Sequence, residues 1–533
     1  MDSTQDHVNE NVPEMARSLK QMIDNNLEEA EFEKGIAMLE QLRSPNHVPS
    51  IAHILHLIYI ALHPVKDIQL NTTGPDDEDV YDPKALLQAS PRKLVKQTKS
   101  RRVLTADAVM ASQRLLSALI RTNAANSLAP ALPCYPDVTL ESPFEIELVD
   151  SVIFLQVKAL RSNSKSCWDF VKTGALEQAK RAYPTSGKSK GRGSASRGSV
   201  GYSSNDTLES DEIKPVGENS WFLLGWLMDL FEKDAEDSVL KGQPRHSPLL
   251  LQQIPRAAHG SSTRWDCSEP LKIILYAFQQ TQSRRQNIGR RLLMLLIDLT
   301  QLLPAPLLSM QGLMTSIIAR FSSSSSLNSL APSILPKIMS QLPLVPSVLA
   351  FRLALCKRIL QDALMSDSSL SPSATRAGPK PRALPRKSTT LTSVTEASSA
   401  PETTPAANTG LSLATPQMPS YEETAQLIRK QIPSRMKKTD ITLKSGSFLF
   451  RIKFEMLLAC GTLRRLLSTA SNDSHRQSQL NIDVDRQWTD ALRGQEILGL
   501  LDAAFGGPLP ENVEEAERSL YLNTLKSFYV ALT

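Results

Sequence analysis

Apolar positions recur at helical spacing through most of the chain, and prolines and polar tracts cut that pattern into short segments. Met15, Leu19, Met22 and Ile23 share one face of a helix that the sequence starts near Pro13. Phe32, Ile36, Leu39 and Leu42 do the same in the next, which Ser44-Pro45 ends because the residue before a proline is pushed out of helical backbone. Asp82-Pro83 places a capping residue before a proline at the first helical position, and Ser142-Pro143-Phe144-Glu145 adds a capping box. The helix it opens presents Ile146, Val149, Ile153 and Leu160 together.

The densest apolar sequence lies at 221–231, at 271–278 and from Leu292 to Ile318, and prolines at 332, 336, 343 and 346 hold the helices there short. Ser420 with Glu423 forms a further capping box. One stretch has two readings. Phe448, Phe450, Ile452 and Phe454 alternate with charged residues as in a strand, while Leu449, Ile452, Met456, Leu457, Leu463, Leu466 and Leu467 follow helical spacing. The helical run is the longer, and it predicts a helix.

Two tracts too poor in apolar residues to offset chain entropy divide these segments. The predicted organisation is an N-terminal helical block at 12–183, a disordered linker at 184–218, a central block at 219–365, a Ser/Thr/Pro-rich disordered linker at 366–420 and a C-terminal block at 421–533. No fixed repeat of 30 to 47 residues is present. The predicted fold class is therefore all-α, either an irregular αα-solenoid with HEAT-like or armadillo-like stacking or a helical bundle, in two or three blocks.

Composition agrees with helices rather than a β-sandwich, since 41% of the 533 residues are hydrophobic and only 5% aromatic. A net charge of +5 is too small over this length to demand nucleic acid. The five cysteines are widely spaced, without a Cys-x-x-Cys pair, and no disulfide framework or zinc site is expected. The first residues are acidic and polar, unlike a secretory signal, and a reducing compartment is expected. Leu292 to Ile318 contains Asp298, Gln301, Pro304, Pro306 and Gln311, so two buried helices joined at Pro-Ala-Pro are expected there and no membrane span.

Candidate chemistry is sparse. The stretch from Ala182 to Gly187-Lys188-Ser189 meets the loosest phosphate-loop pattern, but a charged helix precedes it and a Gly/Ser-rich run follows, where a strand and a helix are needed. The apolar run ending at Asp298 imitates a magnesium-binding strand and fits a core helix equally well. His53, His56 and His63 share a face of the 50–62 helix, yet that helix carries no carboxylate or cysteine to complete a metal site. No Gly-x-Ser-x-Gly elbow appears, and the run Asp76-Asp77-Glu78-Asp79 lacks the ligand spacing of a calcium loop. No catalytic residue, cofactor or metal is assigned.

Trp221, Leu224, Met228 and Phe231 form a stripe that would suit a partner's groove or the chain's own core, and they are the candidate partner-binding helix. Leu292-x-x-Leu295-Leu296 and Leu463-x-x-Leu466-Leu467 match a helical docking pattern that core helices also produce. Basic residues cluster at Arg92-Lys93 with Lys96, Lys99, Arg101 and Arg102, at Lys188–Arg197, at Lys380, Arg382, Arg386 and Lys387, and at Arg429–Lys438. The first and third are candidate nuclear import signals, and any of them could meet nucleic-acid phosphate, though no aromatics stand among them to stack on bases. Ser90-Pro91-Arg92-Lys93 is a candidate phosphosite. The expectation is a non-catalytic scaffold or adaptor, nuclear, that binds other proteins through helical surfaces. The alternatives are a chromatin- or DNA-associated factor, a cytoplasmic assembly or trafficking scaffold, and an undetected enzyme.

Overall fold

The computed structural model describes residues 16–64 apart from 46 and 48, 104–135, 152–182, 214–257, 265–303, 306–322, 334–365, 412–413, 418–430, 446–471, 479–506 and 513–532. Among these the architecture is all-α, with 20 α-helices and, as extended structure, two strands of two residues each, Leu302–Leu303 and Ser412–Leu413. The chain forms two compact units. One comprises residues 1–319 with 340–342, the other 320–339 with 343–533.

In the first unit, Arg17–Glu28 buries Ile23 of the predicted face together with Leu27 and leaves Met22 exposed, so the buried stripe lies further along the helix, while Phe32–Gln41 buries the predicted Phe32, Ile36 and Leu39. Ala30, at φ 60, makes the turn between them in the left-handed region that favours glycine. Ser50 caps Ile51–Ala61 by accepting from His53 N, and every residue from His53 to Ala61 is buried. Thr105 caps Ala106–Thr122 in the same way. That helix lies against the previous one, with Ser112 Oγ donating to Leu57 O at 2.6 Å.

Residues on both sides of the 184–218 tract share this unit. Trp226 of Trp221–Leu240 donates its Nε1 to Leu116 O at 2.9 Å, and Trp168 donates its own to Gln253 O at 2.7 Å. Lys233 sends its ammonium to the carbonyls of Ile120 (2.5 Å) and Asn123 (2.7 Å), where Ala106–Thr122 ends with unpaired acceptors. Lys214 to Gly217 are ordered in place, since Thr173 N donates to Lys214 O and Gly217 N to Val171 O. The remainder of both predicted linkers lies outside the described residues, apart from 412–413 and 418–420.

Leu292 to Ile318 falls in two helices, Ser283–Thr300 and Met310–Ser322, as the prolines require. Among the described residues no helix is long and apolar enough to cross a membrane. Ser268–Gln279 and Ser283–Thr300 approach closely at Gly289, where an added Cβ would lie 2.8 Å from Ala277 Cβ and 3.2 Å from Ile274 O. Gly225 has its nearest such neighbour at 3.7 Å. Gly289→Ala should therefore lose about 1–2 kcal/mol, because overpacking outweighs its gain in helix propensity of about 1 kcal/mol. Gly225→Ala should instead gain about 0.5–1 kcal/mol. Urea unfolding of the two variants checks the opposite signs.

In the second unit, Gly446–Ser471 is the central helix, packed on Pro346–Met365. The alternating Phe448, Phe450, Ile452 and Phe454 lie within it, since neighbours cover nearly its whole circumference and remove the need for a polar face. Arg352 and Glu455 form a buried ion pair across these helices at 2.6 Å, with side chains 4% and 7% exposed. Ser420 caps Tyr421–Arg429, Trp488 Nε1 donates to Pro419 O, and Tyr529 Oη of the last helix, Glu515–Val530, donates to Leu457 O. All five cysteines are free, with Cys134 exposed and the other four buried.

Candidate functional site

The described cavity of greatest chemical interest sits where three short elements meet. Val152–Ser162 runs out at Ser164, whose Oγ donates back to Leu160 O at 2.6 Å. A capping box then opens Cys167–Val171, with Asp169 Oδ2 accepting from Ser166 N and from Lys165 N. Gly174, at φ +83, turns the chain into Ala175–Ala182. These turns enclose about 110 Å³ faced by polar groups of Asn163, Ser164, Asp169, Lys172, Thr173 and Gln178.

The charges around that space are committed to one another. Lys172 Nζ lies 2.8 Å from Asp169 Oδ1 and 3.0 Å from Glu269 Oε2, and Glu269 also takes Lys272 at 2.5 Å. Burial works against the Lys172 charge, but the hydrogen bonds it donates to Asp169 and Glu269 outweigh it and raise its pKa above the ordinary lysine value. Burial likewise opposes the Glu269 charge, and Lys272 and Lys172 outweigh it to lower that carboxyl. Such a site holds water or one small polar group, and its carboxylates and ammonium groups stabilise a turn.

The histidine face predicted on the 50–62 helix exists, with other partners. His53 Nε2 lies 2.9 Å from Asp24 Oδ1, His56 Nδ1 is 2.6 Å from Ala52 O, and His63 Nδ1 is 2.9 Å from Tyr59 O. Among the described residues no group of three or more His, Cys, Asp or Glu side chains is placed to hold a metal ion. Asp298 stands on a helix rather than at the end of a strand, and burial pushes its carboxyl up to about 6 against the pull of Arg245, 3.6 Å away. Ala182 of the phosphate-loop pattern ends a helix, and residues 183–189 lie outside the described residues.

The Trp221, Leu224, Met228 and Phe231 stripe is turned inward. Leu224, Met228 and Phe231 are fully buried, and Trp221 is nearly so, stacked on Tyr276 with Arg285 over its other side at 4.9 Å. The first unit's own core already covers the surface that a partner's groove would need. Leu292, Leu295 and Leu296 are buried as well, as is Leu463. The import residues Arg92, Lys93, Lys99, Arg101, Arg102, Lys380, Arg382, Arg386 and Lys387, and the phosphosite Ser90, lie outside the described residues. Of the last basic cluster, Arg429 and Lys430 are described, and both are exposed.

Sequence reasoning missed two ammonium groups that close helix ends, the half-buried Lys233 and the buried Lys453. Lys233 ends one helix as described above, and Lys453 does the same for Tyr421–Arg429, donating to Ile428 O and Lys430 O at 2.7 Å each. Burial pulls the Lys453 pKa down to about 8. No local signal marks either residue, because the acceptors are backbone carbonyls brought close by tertiary packing. Comparison with known proteins adds no relative: no family model matches the chain, and no curated protein or solved structure matches it.

Proposed function

We propose that this chain is a non-catalytic scaffold or adaptor subunit of a nuclear multiprotein assembly, with irregular solenoid-like helical stacking and partners bound on helical surfaces. The observation that carries the reading is the division of an all-helical chain into two compact units. Exposed apolar side chains on each unit, Leu240 at 84% and Leu520 at 63%, add support. The import clusters and Ser90 would set its address.

The test is affinity purification of the tagged full-length chain after cross-linking in cells. The expected result is a reproducible set of protein partners cross-linked to helices of either unit. Recovery of the bait alone, or a hydrolytic activity that follows the purified chain, would overturn the reading. Direct contact with nucleic acid is the second reading, favoured by the exposed Arg429 and Lys430 at the head of a basic tract. It requires duplex binding that falls by orders of magnitude from low to moderate salt.

A further inference from the structure

The face of Ile51–Ala61 toward Val152–Ser162 carries a ring that has no place for a second proton. His56 is 1% exposed, and its Nδ1 is used on Ala52 O. Its Nε2 is buried without a hydrogen-bond partner, and the ring meets Phe154 edge to face with centroids 4.2 Å apart. One turn on, Tyr59 Oη donates to Gln156 Oε1 at 2.6 Å. Just past the end of the helix, the half-buried His63 places its Nδ1 on Tyr59 O and its ring edge to face with Tyr59.

We propose that His56 and His63 form an acid-releasable latch: protonating them frees the Val152–Ser162 and Ala175–Ala182 pair from Ile51–Ala61 while the rest of the first unit stays folded.

The surrounding charges do not offset the burial of a protonated ring. Asp24, from Arg17–Glu28, already engages His53 Nε2, and His53 on the same helix works against a charge on His56. Ala106–Thr122 faces the helix with the neutral Ser112 and Gln113, and Ala129–Ala131 carries no charge. Lys233, Asp234 and Glu232 of Trp221–Leu240 hold other partners. From Ala175–Ala182, Lys180 works against a charge on His63, while Glu177 acts on Tyr59. Burial, aided by His53 at His56 and Lys180 at His63, outweighs the hydrogen bonds to Ala52 O and Tyr59 O and the pull of Asp24 on His56, and lowers both histidines from the ordinary value of 6.5 to about 4. Between those values the open form binds more protons than the closed one, so falling pH draws the pair apart, by up to roughly 30-fold in opening constant from pH 7.5 to 5.0 through the buried His56, with His63 adding to it.

Amide hydrogen exchange of the full-length chain, corrected for the intrinsic effect of pH, reads this opening segment by segment. In the wild type, protection within 154–162 and 176–181 should fall by roughly 30-fold or more from pH 7.5 to 5.0, while that of Trp221–Leu240 and Ser283–Thr300 falls far less. In His56→Phe/His63→Phe the fall should shrink to less than about threefold, since neither ring titrates. If circular dichroism shows that this variant is not folded, His56→Gln/His63→Gln is judged by the same ratio. Equal loss of protection in wild type and the folded variant overturns the latch. So does a wild type in which all four segments lose protection together.

Discussion

Glu455→Ala is expected to destabilise the second unit by about 3–5 kcal/mol, because it leaves the Arg352 guanidinium buried without its carboxylate. The pair spans the two principal helices of that unit at 2.6 Å, and Arg352 Nε has no other partner. Water does not reach a side chain that is 4% exposed, so the charge must stay unsolvated or the helices must part. For a unit of this size the loss amounts to a fall in melting temperature on the order of 10 °C. The double variant Arg352→Met/Glu455→Leu separates the cost of an orphaned charge from the value of the pair. It removes both desolvation penalties and should recover most of the loss. A double variant as unstable as Glu455→Ala would show that the pair itself supplies the stability. Thermal and urea unfolding followed by circular dichroism provide both readings.

Trp226→Ala should cost the first unit about 3–5 kcal/mol and weaken helices from both sides of the 184–218 tract together. The indole is 2% exposed and joins Trp221–Leu240 to Ala106–Thr122 through Leu116 O. Truncation leaves a cavity that the surrounding Leu and Ile side chains refill only in part. Trp226→Phe keeps most of the apolar area and forgoes the hydrogen bond, at about 1 kcal/mol. Hydrogen exchange distinguishes the cooperative unit from independent blocks. Loss of protection in both Ala106–Thr122 and Ser283–Thr300 supports one unit, whereas loss confined to the former would require two.

The helices were legible where their signals are local. Ser420 does cap its helix, and the proline break after Thr300 does divide Leu292 to Ile318, because caps and prolines act within one turn of themselves. Gly446–Ser471 was legible from the length of its helical run despite the phenylalanine alternation. Spacing identified the Trp221 stripe and the histidine face as surfaces, but spacing carries no information on what covers a surface. Whether Trp221 meets a partner or Tyr276 depends on residues 55 positions away, and Lys453 finds acceptors that every peptide bond supplies. The same limit applied at the 184–218 tract. Its composition is that of a border, yet Trp168 and Trp226 join the helices on its two sides.

The backbone bonds of Val171 and Thr173 to Gly217 and Lys214 bring Lys214 back beside the turn before Ala175–Ala182. Ala175–Ala182 is eight residues long, so its end lies about 12 Å along its axis from the turn to which Lys214 returns. Ala182 and Lys214 therefore stand at neighbouring points of the fold. A chain divided between Ala182 and Lys214 would leave two fragments still joined by the buried tryptophans Trp168 and Trp226, each bonded to backbone of the other fragment. The first unit is thus held together like a split protein, by contacts between its parts rather than by the peptide bonds that link them.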